Sequence, residues 1–221
     1  ITALFTTTAA ALAFETVEPA QEMVVEQEPS EEKKQAQAVL SAAEDFSWSF
    51  ENGVLTISGQ GDMPDYEYSG YVPWYSSRTR ITTVVIKNGI TSIGGFAFCG
   101  CTSLTSVTLP DSVTRIVDFA FYGCTGLKNI VIPDSVTSIG VRAFSSCTGL
   151  LSITIPDSVT SIYNYAFSGC TSLTHVTISD SVTSMNGCVF EGCTGLISIV
   201  IPDSVTSIGD SVFASCTELM S

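Results

Sequence analysis

Apolar residues recur every 23 positions from residue 81 onward, and this periodicity dominates the sequence. Seven apolar columns stay in register over six periods, which indicates a tandem repeat. The leucine, phenylalanine and cysteine columns are Leu104, Leu127, Leu150, Leu173, Leu196 and Leu219; Phe98, Phe121, Phe144, Phe167, Phe190 and Phe213; and Cys101, Cys124, Cys147, Cys170, Cys193 and Cys216. The pattern therefore predicts a stack of similar structural units.

Each 23-residue unit predicts two short extended arms and a tight connection. Alternating β-branched residues, as in Val107–Leu109 and Ile130–Ile132, are typical of a short strand, and the Pro-Asp-Ser run that follows is typical of a turn. The Val-Thr-Ser-Ile segment predicts a second arm, and the Ala-Phe pair with the following Cys predicts a single helical turn. No unit can bury its apolar edge alone, so we expect stacked coils with parallel strands about 4.8 Å apart.

The repeat occupies residues 81–221, as six coils and the start of a seventh, and residues 46–80 precede it. Four large aromatic side chains in that preceding segment predict a β-rich cap over the open edge of the first coil: Trp48, Phe50, Tyr66 and Trp74.

Residues 1–45 have a different composition from the repeat. The run Ala11-Leu12-Ala13 ends an apolar stretch in the small-x-small form that signal peptidase accepts, which predicts a signal-peptide remnant; a disordered Ala/Thr tail is the alternative. The Glu-rich and Gln-rich remainder predicts a disordered acidic linker.

The repeat unit L-x-x-V-x-I-P-D-S-V-T-S-I-G-x-x-A-F-x-x-C-T-x resembles the leucine-rich repeat of BspA-like bacterial surface proteins, also called the Treponema pallidum type. The segment Leu104–Leu109 matches the general L-x-x-L-x-L strand of leucine-rich repeats. Departures are mild, since Ser179 replaces the strand-ending Pro and Met185 replaces Ile. The resemblance implies a leucine-rich-repeat solenoid and a role in adhesion.

Composition narrows the function classes. The 221 residues carry 22 acidic and 8 basic side chains, for a formal net charge of −14. Such a balance argues against binding nucleic acid or anionic lipid, both of which require Lys and Arg. Half of the net charge (9 acidic and 2 basic residues, −7) lies in residues 1–45, and residues 81–221 carry only −5 from 9 acidic and 4 basic residues. The repeat itself is therefore nearly uncharged.

The cysteines and aspartates could in principle bind a metal or form disulfides. The cysteine column shares the inward side with Phe and Leu, so we expect buried reduced thiols rather than disulfides or zinc ligands, with Cys99 and Cys188 outside the column and more accessible. The aspartates of the Pro-Asp-Ser turns could form a calcium ladder, but a side-chain bond to the local backbone is the expected explanation. We predict no cofactor and no metal.

The sequence contains no convincing set of residues for nucleophilic catalysis. His175 is the single histidine, and the sequence has no nucleophile elbow, P-loop or H-E-x-x-H motif. We therefore expect no catalytic site and no enzyme activity.

A binding surface is the better hypothesis. Outward positions of the first arms predict a flat face of Ser, Thr and Val that also carries Asn129 and His175. A second, more variable column just before the Ala-Phe pair holds aromatic residues and one arginine, a composition enriched at interface hot spots, although these residues could simply pad the turn. The candidate binding residues are Phe96, Phe119, Tyr122, Arg142, Tyr163, Tyr165, Asn129 and His175.

Together these features predict a non-enzymatic, adhesion-type interaction module that is secreted or held at the cell surface. The expected partners are host or bacterial surface proteins, or glycans, and we expect no nucleic acid and no membrane insertion of the mature domain. An auxiliary binding domain of a larger secreted hydrolase and a structural spacer are the alternatives.

Overall fold

The computed structural model describes residues 46–220, and the predicted signal-peptide remnant and acidic linker lie outside this range. The described chain winds into a succession of short strands and turns, in which every coil contributes a second-arm strand and every coil except coil 3 also contributes a first-arm strand. Coils 1 to 6 begin at Ile81, Leu104, Leu127, Leu150, Leu173 and Leu196.

The first arms form two sheets, which we call the front sheets. One has four strands in the order β1 (Ser47–Glu51), β2 (Val54–Ser58), β4 (Thr83–Ile86) and β6 (Ser106–Thr108). The other has three, β9 (Ser152–Thr154), β11 (His175–Thr177) and β13 (Ser198–Ile199). All of these strands pair in parallel except β1, which runs antiparallel to β2 and so covers its free edge.

The second arms form one lateral sheet of seven parallel strands. Its order is β3 (Gly61–Asp62), β5 (Ile90–Ile93), β7 (Arg115–Ile116), β8 (Ser138–Ile139), β10 (Ser161–Ile162), β12 (Ser184–Met185) and β14 (Ser207–Ile208). Residues 23 positions apart are direct partners, for example Ile116 with Ile139, so the sequence period sets the register. Two short 3-10 helices, Ser69–Tyr71 and Tyr75–Arg80, complete the N-terminal segment.

The core is a continuous ladder of phenylalanine rings along the axis of the coils. Neighbouring rings from Phe98 to Phe213 stack with centroids 5.2 to 5.9 Å apart. Trp74 continues this ladder beyond the first coil, stacking on Phe98 at 5.8 Å and donating its indole N–H to the Ala97 carbonyl at 2.8 Å. The N-terminal segment thereby supplies the neighbour that Phe98 would otherwise lack.

These features confirm the predicted leucine-rich-repeat solenoid of 23-residue coils with short parallel strands, and two details differ. The segment predicted as a single helical turn is a run of tight turns in every coil, because two residues of this run have a positive φ. The predicted strand Ile130–Ile132 is absent, which separates the two front sheets. Within residues 46–220, residues 130–132 make no backbone hydrogen bond to a neighbouring coil, and the bond just before them, from the Leu151 N–H to the Lys128 carbonyl at 3.0 Å, is not enough to form a ladder.

Candidate interaction surface

The turn of each coil holds a non-glycine residue in the left-handed region of the backbone map, four positions before a second left-handed residue that is Gly or Ser. The earlier residues occupy the variable column and have φ between 54° and 59°: Phe96, Phe119, Arg142, Tyr165, Cys188 and Ser211. Left-handed geometry costs a residue with a side chain about 1–2 kcal/mol, and glycine avoids that cost. Yet four consecutive coils place an aromatic ring or an arginine there.

Backbone hydrogen bonds impose this geometry. Using coil 2 as the example, Phe119 donates its N–H to the Val141 carbonyl of the next coil at 2.9 Å and accepts from the Tyr122 N–H at 3.1 Å. The two following residues, Ala120 and Phe121, are fully buried. The turn therefore directs the left-handed side chain away from the core while its neighbours fill it.

Five of the predicted binding residues form one stacked assembly, which we call the aromatic stripe: Phe96, Phe119, Tyr122, Arg142 and Tyr165. The rings of Phe96 and Phe119 are nearly parallel, 6° apart in orientation, with centroids separated by 4.6 Å. Tyr122 packs against Phe119 at 5.8 Å. The Arg142 guanidinium carbon lies 5.8 Å from the Phe119 centroid and 4.7 Å from the Tyr165 centroid. Arg142 is thus held between two aromatic rings.

Electrostatics at the Tyr165 end of the stripe depend on its neighbours. The adjacent Cys188 thiol, through a side-chain hydrogen bond, raises the pKa of the Tyr165 phenol, and the Arg142 charge opposes this. Tyr165 is therefore a neutral hydrogen-bonding group at physiological pH.

The structure adds two residues that the sequence reasoning missed. Tyr75 and Arg78 belong to the second 3-10 helix and line a shallow recess together with Phe96 and Cys99. The Arg78 guanidinium carbon lies 3.9 Å from the Tyr75 centroid, so a second arginine–tyrosine pair adjoins the stripe. The i, i+3 spacing of the two residues in a helical turn was the signal available in the sequence.

The remaining predicted residues lie elsewhere. Asn129 and His175 are exposed in the front segments of coils 3 and 5, where His175 Nδ1 is 2.8 Å from the Thr174 hydroxyl. Tyr163 is 43% exposed, at the end of a lateral strand, and no stacking contact joins it to the described stripe. The predicted outward positions of the front arms are exposed or half-buried, and Val131 and Val200 are about four-fifths exposed.

The cysteine column is part of the core, as predicted. The described cysteines are free thiols, and the interior members, such as Cys147, are fully buried. Each thiol from Cys124 onward donates to the carbonyl of the Phe 26 positions earlier, as Cys147 does to Phe121 at 3.1 Å. Burial raises the pKa of Cys101 and of Cys193 to about 12.

The explanation predicted for the turn aspartates is wrong. In the part of the chain described, their exposed carboxylates make no hydrogen bond to the local backbone; the turn is closed by the backbone, as from the Val113 N–H to the Pro110 carbonyl at 3.0 Å. The serine that follows the aspartate instead links two coils in four of the five turns, as Ser135 does by donating to the Val113 carbonyl at 2.6 Å. No group of three or more potential metal-binding side chains occurs in residues 46–220.

Comparisons with known proteins agree with this architecture. Residues 74–155 and 143–221 match the family described as the BspA type leucine-rich repeat region, in six copies. No curated protein matches the chain significantly in sequence. No described helix is long and apolar enough to cross a membrane.

The chain is similar to several crystal structures, three of which follow. The leucine-rich repeat protein TpLRR of T. pallidum is 28% identical with a TM-score of 0.66, and the match covers 80% of this chain and 89% of that one. A leucine-rich repeat protein of Bacteroides ovatus is 31% identical (TM-score 0.64, 79% and 50% covered). A leucine-rich cell surface protein of Faecalibacterium prausnitzii is 32% identical (TM-score 0.64, 80% and 52% covered). The chain spans about half the length of the last two proteins.

Proposed function

Since the chain belongs to the BspA-type leucine-rich repeat family, we propose that it is a non-enzymatic, adhesion-type module that binds surface proteins through the aromatic stripe. One similar structure is that of a cell surface protein, which supports the same location, secreted or at the cell surface, for this chain. Stacked repeats present long surfaces whose residues change from coil to coil, a property suited to recognition.

The observation that carries this proposal is the left-handed column. Four successive coils place Phe96, Phe119, Arg142 and Tyr165 at a backbone position where glycine is favoured. Strained backbone positions occupied by bulky side chains are typical of functional sites. Tyr and Arg are also among the residues enriched in binding hot spots. Packing alone does not require large side chains at this position, because coils 5 and 6 have the smaller residues Cys188 and Ser211 there.

The front sheets offer the competing surface. Their exposed residues include His175, Val131 and Val200, but these are separated by Ser and Thr and form no stacked group among the described contacts. The absence of a coil 3 strand further divides this face. The stripe is therefore the more continuous of the two surfaces.

The test is a binding screen with the full chain against immobilised extracellular matrix proteins, intact bacterial cells and a glycan array. The stripe variant Phe119→Ser/Tyr165→Ser is expected to weaken binding at least tenfold. The matched control Val131→Ser/Val200→Ser removes two exposed apolar residues from the front face and should bind like the wild type, with unchanged circular dichroism for both variants. Loss of binding in the control alone would assign the interaction to the front face instead.

A further inference from the structure

Building on the proposed function, we infer that the aromatic stripe recognises an acidic segment of a partner protein, with a partner carboxylate bound by the Arg142 guanidinium. Arg142 is half-buried and lies between the rings of Phe119 and Tyr165. This arrangement determines which chemical groups the stripe can accept.

The faces of the stacked groups are occupied by one another. Phe119 has Phe96 on one side and Arg142 on the other, because the three residues belong to consecutive coils. A neutral sugar normally packs its ring against an aromatic face, and the interior of this stack offers none. The ring edges remain available, and the edge of an aromatic ring carries partial positive charge. The stripe therefore favours an electronegative group over a flat apolar ring.

Arg142 adds a directed positive charge to these edges. A guanidinium has five N–H donors, and the rings of Phe119 and Tyr165 that flank Arg142 accept no conventional hydrogen bond from them. Within residues 46–220, no carboxylate lies within ion-pair distance of Arg142, and no side chain or carbonyl accepts a hydrogen bond from it. The two flanking rings fix the fork before binding, so less conformational freedom is lost when a carboxylate docks.

The local charges are consistent with an acidic partner. The acid next to Phe119, Asp118, already accepts the Val141 N–H at 2.7 Å. Arg78 lies beside Cys99 in the coil 1 turn and extends the positive character to the N-terminal end of the stripe. Glu191 lies on the opposite side, near Tyr165, and limits the favourable region to coils 1 to 3. We therefore expect the acidic residue of the partner to face Arg142. The smaller residues next to it in the partner would lie over the ring edges of Phe96 and Phe119.

The experiment selects a phage library of random 12-residue peptides against the full chain and measures the affinity of a selected peptide, labelled with fluorescein, by anisotropy. Selected peptides should be enriched in Asp and Glu. Replacing the contacting Glu of the peptide by Gln should weaken binding to the wild type about tenfold, because a bidentate, charge-assisted pair is lost. Arg142→Gln should remove that difference, and Arg142→Lys should retain only part of it, because an ammonium cannot form the fork.

The outcomes separate this inference from the proposed function. Peptides that lose affinity with Phe119→Ser but bind equally well with Glu or Gln would overturn the acidic specificity and leave the stripe as the binding surface. An undiminished preference for Glu in Arg142→Gln would overturn the role of Arg142. If no selected peptide is sensitive to Phe119→Ser, or if only glycans bind, both the inference and the stripe as a protein-binding surface fail.

Discussion

The phenylalanine ladder predicts that one interior ring holds the two halves of the solenoid together. Phe144 is fully buried and stacks on Phe121 at 5.2 Å and on Phe167 at 5.4 Å. Its truncation to Ala should cost about 3–5 kcal/mol of unfolding free energy, in the range for large cavities in a rigid core. Two lost ring stacks place the value in the upper part of that range. Phe213 is the matched control, because it is half-buried and, among residues 46–220, stacks on Phe190 alone, at 5.9 Å. Phe213→Ala should therefore cost about 1–2 kcal/mol.

The assay exploits the positions of the two tryptophans. Trp48 and Trp74 both lie in the N-terminal segment and contact each other at 6.0 Å, so fluorescence reports unfolding of that end while circular dichroism reports all strands. In a repeat array, coils are coupled only through neighbours. Urea denaturation of Phe144→Ala should therefore give a circular dichroism transition that precedes the fluorescence transition, whereas the wild type shows both together. Coincident transitions, with a loss no larger than that of Phe213→Ala, would refute the idea that the ladder couples the coils.

Three further predictions concern the backbone and the thiols. Ser146 has φ of 60° where four other coils have glycine, so Ser146→Gly should raise the unfolding free energy by about 0.5–1 kcal/mol in urea denaturation; destabilisation would contradict the assigned conformation. An aromatic disulfide reagent at mildly alkaline pH should label the half-buried thiols of the folded protein, which are Cys99, Cys188 and Cys216. The buried thiols should react only after unfolding, as for Cys124, Cys147 and Cys170. Rapid labelling of all eight cysteines without denaturant would disprove the buried column. Burial raises the pKa of Cys101 and Cys193 from the ordinary 9.0 of a thiol to about 12, so the unfolded chain releases these protons first. Stability is therefore fully present below pH 9 and falls between pH 9 and 12, by up to about 1.4 kcal/mol per pH unit for each thiol. Thermal unfolding across this range should show a shallower fall in Cys193→Ala, and an equal fall would exclude the thiol as the cause.

The stacked fold could be predicted from the sequence because one period governs every structural level. The spacing of Ile116 and Ile139 is at once the sequence repeat, the strand register and the distance between neighbouring core positions. Parallel stacking followed because no single coil can bury its apolar edge. The buried cysteines were predictable for the same reason, since they share the inward columns with Phe and Leu.

The details that could not be predicted depend on the backbone conformation inside the turn. Phe, Arg and Tyr rarely adopt positive φ, so nothing in their identity signals the left-handed position that Arg142 and its neighbours occupy. The Arg142 sandwich additionally requires the side chains of three coils to be aligned, which spacing alone does not determine. Arg78 and Tyr75 lie outside the repeat, so the columns gave no reason to connect them with the stripe. The prediction for the turn aspartates was wrong because Asp and Ser side chains both commonly bond to the local backbone. Only the three-dimensional structure shows that the serine side chain instead bonds to the neighbouring coil.

The threonines of the second arms show how such a chain can change over generations. Thr114, Thr137 and Thr206 each donate a hydroxyl to the carbonyl of the threonine one unit earlier, so the coils joined at these places use the same donor and the same acceptor. An in-frame duplication or deletion of one of these units would therefore leave its junctions chemically matched. The number of coils can vary by genetic recombination without any compensating change in the core, and each inserted copy supplies a new residue at the outward turn.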